Sequence, residues 1–144
     1  MSLPDPVPGL VIRYSYLWFD QQQRGQEEGT KDRPCVVVLT VRREGGRTLV
    51  SVAPITHRPP STSSKAVALP AATKLRLGLD DLPSWIVTDE LNEFVWPGPD
   101  IRSLGSSAPK RFDYGLIPRG LYERVRSAIV AHLNEHGLKF SRRT

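Results

Sequence analysis

A chain of 144 residues has the length for one hydrophobic core but not for two, so a single domain over 1–144 is expected. Its 39% hydrophobic content, with 13 prolines and 11 glycines, fits a turn-rich barrel or sandwich better than a helical bundle. The 20 Lys+Arg outnumber the 15 Asp+Glu, and a net charge of +5 favours RNA, DNA or an acidic protein as partner while saying nothing about fold.

The first eight residues carry three prolines and read as a short extended arm without the basic and apolar regions of a signal peptide. Leu10-Val11-Ile12-Arg13-Tyr14-Ser15-Tyr16-Leu17-Trp18, within Gly9 to Phe19, is rich in β-branched and aromatic residues and predicts a first strand. Residues 20–33 follow as a polar loop whose length suggests a functional role. Pro34 to Val41 is nearly continuous in apolar residues, as in a central strand buried on both faces. Cys35 lies inside it and reads as a buried thiol; as the one cysteine it permits neither an internal disulfide nor a cysteine zinc site. Gly45-Gly46 suits a hairpin turn into a partner strand, Thr48 to Ile55.

Thr56 to Ser64 is a polar loop, Ala66 to Leu69 a short strand, and Pro70 the start of a helical turn. Ser84–Thr88 and Glu93–Trp96 are further strands; residues 97–114 read as irregular, with a mobile tip at Gly105–Pro109. Leu121, Val125, Ala128, Ile129 and Leu133 define one apolar face on a helix of about 118–136, stopped by Gly137. The basic tail, 138–144, is expected to be loose. His132 and His136 are spaced to share a zinc ion, but no third ligand stands nearby and no metal site is expected. The fold class is mainly β (α+β): a small, partly open barrel with a C-terminal helix. No apolar stretch reaches the roughly 20 residues that span a bilayer, so a soluble, cytoplasmic protein is expected.

The order of these pieces resembles the MazF/PemK toxins. Gly9-Leu10-Val11-Ile12 opens a strand, and an acidic loop then ends in Arg33-Pro34-Cys35-Val36-Val37-Val38-Leu39, like the family's N-terminal signature. Val52-Ala53-Pro54-Ile55-Thr56 looks like its strand ending in a Pro-apolar-Thr step. Leu79 and Ser84 followed by Asp89-Glu90 resemble a later segment that usually carries Asp-Gln, and a helix closes the pattern after Gly115-Leu116-Ile117-Pro118. The similarity covers roughly residues 9–134. It implies an SH3-like barrel, a homodimer, a cognate antitoxin, and metal-independent, cofactor-free cleavage of single-stranded RNA by attack of the ribose 2′-OH on the adjacent phosphate.

That reaction needs a base, a proton donor for the leaving 5′-oxygen, and cationic or hydrogen-bonding groups on the phosphate. Glu28 and Arg33 match the family's loop glutamate and pre-proline arginine. Glu28 is the candidate base with Glu27 its competitor, and Arg33 is the phosphate clamp, since a guanidinium hardly ever gives up its proton. Thr56 matches the strand-end threonine. His57 is foreign to the pattern and reads either as the missing acid or as a solvated loop histidine. Glu27, Lys31, Arg58 and Asp89 are candidate RNA contacts.

Two departures matter. Val87 stands where some RNA-cleaving members carry an arginine, and Asn92–Arg102 is an insertion foreign to the compact toxins. A barrel that binds nucleic acid or a partner protein without turnover therefore stays open as an alternative. So does a peptide-binding module built on Tyr14, Tyr16 and Trp18, although core packing explains those rings better. Trp85 and Trp96 read as base-stacking or core residues, core being favoured.

Overall fold

The computed structural model describes residues 3–27, 29, 31–105, 110–135 and 137–143. The order is β1 (Leu10–Tyr14), α1 (Phe19–Gln23), β2 (Arg33–Arg42), β3 (Thr48–Thr56), β4 (Ala66–Ala68), α2 (Ala71–Leu77), β5 (Trp85–Val87), β6 (Glu90–Trp96), β7 (Ile101–Arg102), β8 (Asp113–Leu116), α3 (Arg119–Glu135) and β9 (Lys139–Arg142). Most strands pair antiparallel in one open sheet, and the exception is β9, parallel to β6. The architecture is the expected mainly β one with a helix near its C-terminal end.

β2 lies between β1 and β3, and its stretch from Cys35 to Val38 is buried on both faces, which is why the sequence there does not alternate. Val36 and Val38 face one apolar cluster with Val11, Ala53, Ile55 and the α3 residues Leu121 and Val125. Cys35 and Val37 face the other, where Tyr14 stacks on Phe94 at 4.7 Å between ring centres. The β2–β3 register shifts between Val37 and Leu39, a bulge that bends the pair. The Val38 carbonyl accepts a hydrogen bond from the Tyr122 hydroxyl of α3 at 2.9 Å. β3 then divides its free edge: Thr48–Val52 pairs with β6, and Ile55–Thr56 pairs with β5. This division splays the sheet at the end of β3 and opens the cleft described below.

Several expectations are corrected. The first ladder stops at Tyr14, yet Ser15, Tyr16 and Leu17 remain buried without strand partners. The Asn92 side chain stands in for a strand, accepting from Leu17 N–H at 2.9 Å and donating to Leu17 C=O at 2.7 Å. The polar loop opens with a helical turn, α1, in which the Gln21 side chain accepts from the Trp18 N–H. Residues 97–114 contain β7 and the start of β8. The tip at Gly105–Pro109 falls at 106–109 outside the described residues.

The tail is not loose. β9 adds to β6, and the Arg143 guanidinium, 4% exposed, pairs with Asp100 at 3.0 Å. On α3 the buried stripe ends at His132, while Leu133 is 57% exposed. Position 132 lies about 20° around the helix from Leu121, and position 133 about 120°. A buried histidine closes the stripe by bonding the Ser64 carbonyl at 2.6 Å through Nε2. His136 lies outside the described residues. Among the described residues no helix is long and apolar enough to cross a membrane.

Candidate active-site cleft

A cleft of about 960 Å³ opens where the start of β2, the end of β3, α1 and the segment after α2 meet. Arg33, Thr56, His57, Arg58, Lys31 and Asp89 all line it. Strand order explains the convergence. Arg33 is the first residue of β2, and Thr56 ends the antiparallel β3 beside it.

Arg33 is half-buried, which lowers its ordinary guanidinium value, although it stays cationic at any physiological pH. Its Cζ lies 5.1 Å from the centre of the Trp18 ring, a cation–π contact that fixes its plane. Its one side-chain hydrogen bond among the described residues runs from Nη1 to the Ile55 carbonyl, long at 3.5 Å, and its buried Nε has no partner among them. A flat cation with unmet donors, held against a ring, suits a phosphate.

Thr56 Oγ1 accepts from the Arg58 N–H at 3.1 Å, which leaves its own proton to donate. His57 is half-exposed but not merely solvated, because its Nε2 meets Asp80 Oδ2 at 2.8 Å. Lys31 and Arg58 are exposed on the rim, and Asp89 is half-buried.

Glu27 is placed elsewhere. It lines a second depression of about 570 Å³ with Gln22, Arg142 and Arg143, and its carbonyl accepts from Arg143 Nη2 at 3.4 Å. Glu28, the candidate base, lies outside the described residues. Gly29, which follows them, packs on the Tyr16 carbonyl so closely that a Cβ there would overlap it.

The charges in the cleft are mixed, and most of its acids are paired. Asp32 reaches Arg13 and Arg102, and Asp20 pairs with Arg24. Asp80 holds Lys74 and His57. Among the described residues no acid pairs with Lys31, Arg33, Arg58 or Lys65, so these four cations stand against two carboxylates, Asp89 and Glu90, that likewise lack an ion pair, a small cationic excess. Val87 lines it too, and so does Lys65, which precedes Ala66, the partner of Val87 in the β4–β5 ladder.

Sequence reasoning missed Trp18, Lys74, Asp80 and Glu90 as members of the cleft. Glu90 Oε1 accepts from the Tyr16 hydroxyl and the Phe19 N–H, both at 3.0 Å; burial raises its carboxyl above the ordinary value. Trp18 had a signal, its place beside Tyr16 at period two. A buried lysine has none, because in sequence it looks like any solvated helix charge. Trp85 and Trp96 are half-buried and do not line the cleft; Trp96 packs on the second apolar cluster.

A family model described as PemK-like, MazF-like toxin of type II toxin-antitoxin system matches residues 15–94. Comparison with curated proteins gives no match, and comparison with solved structures gives none either. The matched span contains Arg33, Thr56, His57, Asp80 and Asp89, and it leaves α3 and β9 outside.

Proposed function

The chain belongs to the PemK-like, MazF-like toxins of type II toxin–antitoxin systems, and we propose that it is a metal-independent endoribonuclease acting on single-stranded RNA. The observation that carries this reading is the convergence of Arg33, Thr56 and His57 on one cationic cleft, with buried Arg33 Nε unpartnered among the described residues.

In this reading Arg33 grips the scissile phosphate through its unmet donors and stabilises the charge that builds as the 2′-oxygen attacks. Thr56 donates to a second phosphate oxygen. Lys31, Arg58 and Asp89 contact the flanking nucleotides, with the cations tracking the backbone. Glu28 takes the 2′-OH proton; Glu27, facing the second depression, is the weaker candidate. His57 supplies the proton that Arg33 cannot. The protein works as a homodimer in the cytoplasm, needs no cofactor, and is held inactive by a cognate antitoxin.

The test is RNA cleavage by purified protein in the presence of a chelator, wild type against Arg33→Ala. Fragments ending in 2′,3′-cyclic phosphate, formed by wild type and lost in the variant, are expected. Folded wild type that binds RNA without cutting it would instead support a binding barrel, the reading that Val87 in the cleft favours.

A further inference from the structure

The acid of the cleft is held from behind by groups that sequence reasoning did not assign. α2 ends at Gly78, whose φ of 75° turns the chain back, with Leu79 N–H bonded to the Lys74 carbonyl at 2.9 Å. The reversal sets Asp80 against Lys74, whose side chain is 5% exposed. The Lys74 ammonium donates to Asp80 Oδ1 at 2.6 Å, to Ser84 Oγ at 2.6 Å and to the Leu82 carbonyl. Its three protons have three acceptors, so it is a fixed charge. Asp80 Oδ1 also accepts from Leu82 N–H at 3.1 Å, which locks the carboxylate plane. The other oxygen, Oδ2, meets His57 Nε2 at 2.8 Å. The Lys74 hydrogen bond, followed by those of Leu82 and His57, holds the Asp80 carboxyl below its ordinary value, so the acceptor facing His57 stays anionic.

An anionic acceptor requires a proton on Nε2, and this leaves Nδ1 as the ring position that gains or loses the second proton. No group among the described residues pairs with Nδ1. Two cations lining the cleft do not compete for this role. Arg33 keeps its protons, and those of Lys74 are committed to three acceptors.

We propose that Asp80, clamped by Lys74, is a positioning residue that fixes His57 with Nε2–H on the carboxylate and Nδ1–H toward the leaving 5′-oxygen, making His57 the general acid of RNA cleavage. The inference rests on the endoribonuclease reading above. The 2′-oxygen forms its bond to phosphorus as its proton passes to the carboxylate base. The P–O5′ bond breaks, its electron pair staying on O5′, which takes the Nδ1 proton. The products are a 2′,3′-cyclic phosphate, a 5′-hydroxyl, a protonated carboxyl and a neutral His57 that keeps Nε2–H. Exchange with water restores both groups.

A substrate with sulfur in place of the bridging 5′-oxygen separates this role from phosphate binding, because a thiolate leaves without protonation. On the oxygen substrate His57→Gln is expected to cut about 100-fold slower or more, and Asp80→Asn about tenfold slower. On the sulfur substrate both should approach the wild-type rate. Imidazole ¹⁵N–¹H spectra, with the His57 signal identified by its loss in His57→Gln, should show Nε2 protonated in the wild type and a changed tautomer balance in Asp80→Asn.

Variants as fast as wild type on the oxygen substrate, or slowed equally on both, would overturn the acid role while the nuclease reading stood. An unchanged tautomer balance in Asp80→Asn would remove Asp80 from its assigned role. Wild type inactive on both substrates would bring down the nuclease reading, and this proposal with it.

Discussion

Arg33 and Arg143 are both arginines drawn out of solvent, one in each depression, and their bonding is opposite. Arg143 spends its donors inside the protein, on Asp100, the Ser15 carbonyl, the Asn92 side chain and the Glu27 carbonyl. Arg33 has one long bond and a buried, unpartnered Nε among the described residues. A saturated guanidinium tethers chain segments, here the end of β9, the β1–α1 connection and the turn between β6 and β7 that carries Asp100. An unsaturated one is held ready for a ligand. Burial alone does not distinguish the two; the count of met donors does.

The sharpest way to break the comparison is to exchange the consequences. Arg33→Ala is expected to lower kcat/KM for RNA by about 100- to 1000-fold while leaving the urea midpoint nearly unchanged. Arg143→Ala should do the reverse. It leaves Asp100, whose side chain is 13% exposed, with only the longer Arg102 pair at 3.9 Å, and is expected to cost about 2 kcal/mol in urea unfolding, with activity per folded molecule retained. Equal losses of stability in the two variants would erase the distinction.

Smaller changes sharpen it. Tyr122→Phe leaves the Val38 carbonyl at the bulge without its hydroxyl partner and should cost about 1 kcal/mol, read from the same unfolding curves. Glu90→Gln tests a buried carboxylate with no cationic partner in the cleft. Because the folded carboxyl is raised above its ordinary 4.5, its contribution is fully present below that value and is lost as pH rises through the folded value. The variant should therefore be the more stable protein at neutral pH, and its advantage should shrink on acidification. Asp80 has the opposite sign: lowered from 3.8, its contribution is present above that value and fades as pH falls through the folded one. Arg142→Ala should be nearly silent in thermal melts, since its side chain is 82% exposed beside Glu93.

Much of this protein was legible in the sequence because local chemistry fixes it. The nearly continuous apolar run after Arg33 reads as a central strand, and Cys35 is buried there as expected. Leu121 and Val125 mark the inward face of α3, and Arg33 and Thr56 were found through their ordered resemblance to a family. Other features depend on partners distant in sequence. Nothing local says that Asn92 will satisfy the backbone of Leu17, that the basic tail will become a strand, or that Leu133 will yield its place to His132.

The cleft divides along the same line. The sequence by itself determined a mainly β domain with a cationic excess, and the residue types at the mouths of β2 and β3. Only the tertiary structure decided that Lys74 of α2 and Asp80 of the turn after it stand behind His57. The reason is physical: strand and helix periodicities are short-range and repeat in the sequence, whereas a hydrogen-bond chain between three elements exists only once packing has fixed their separation.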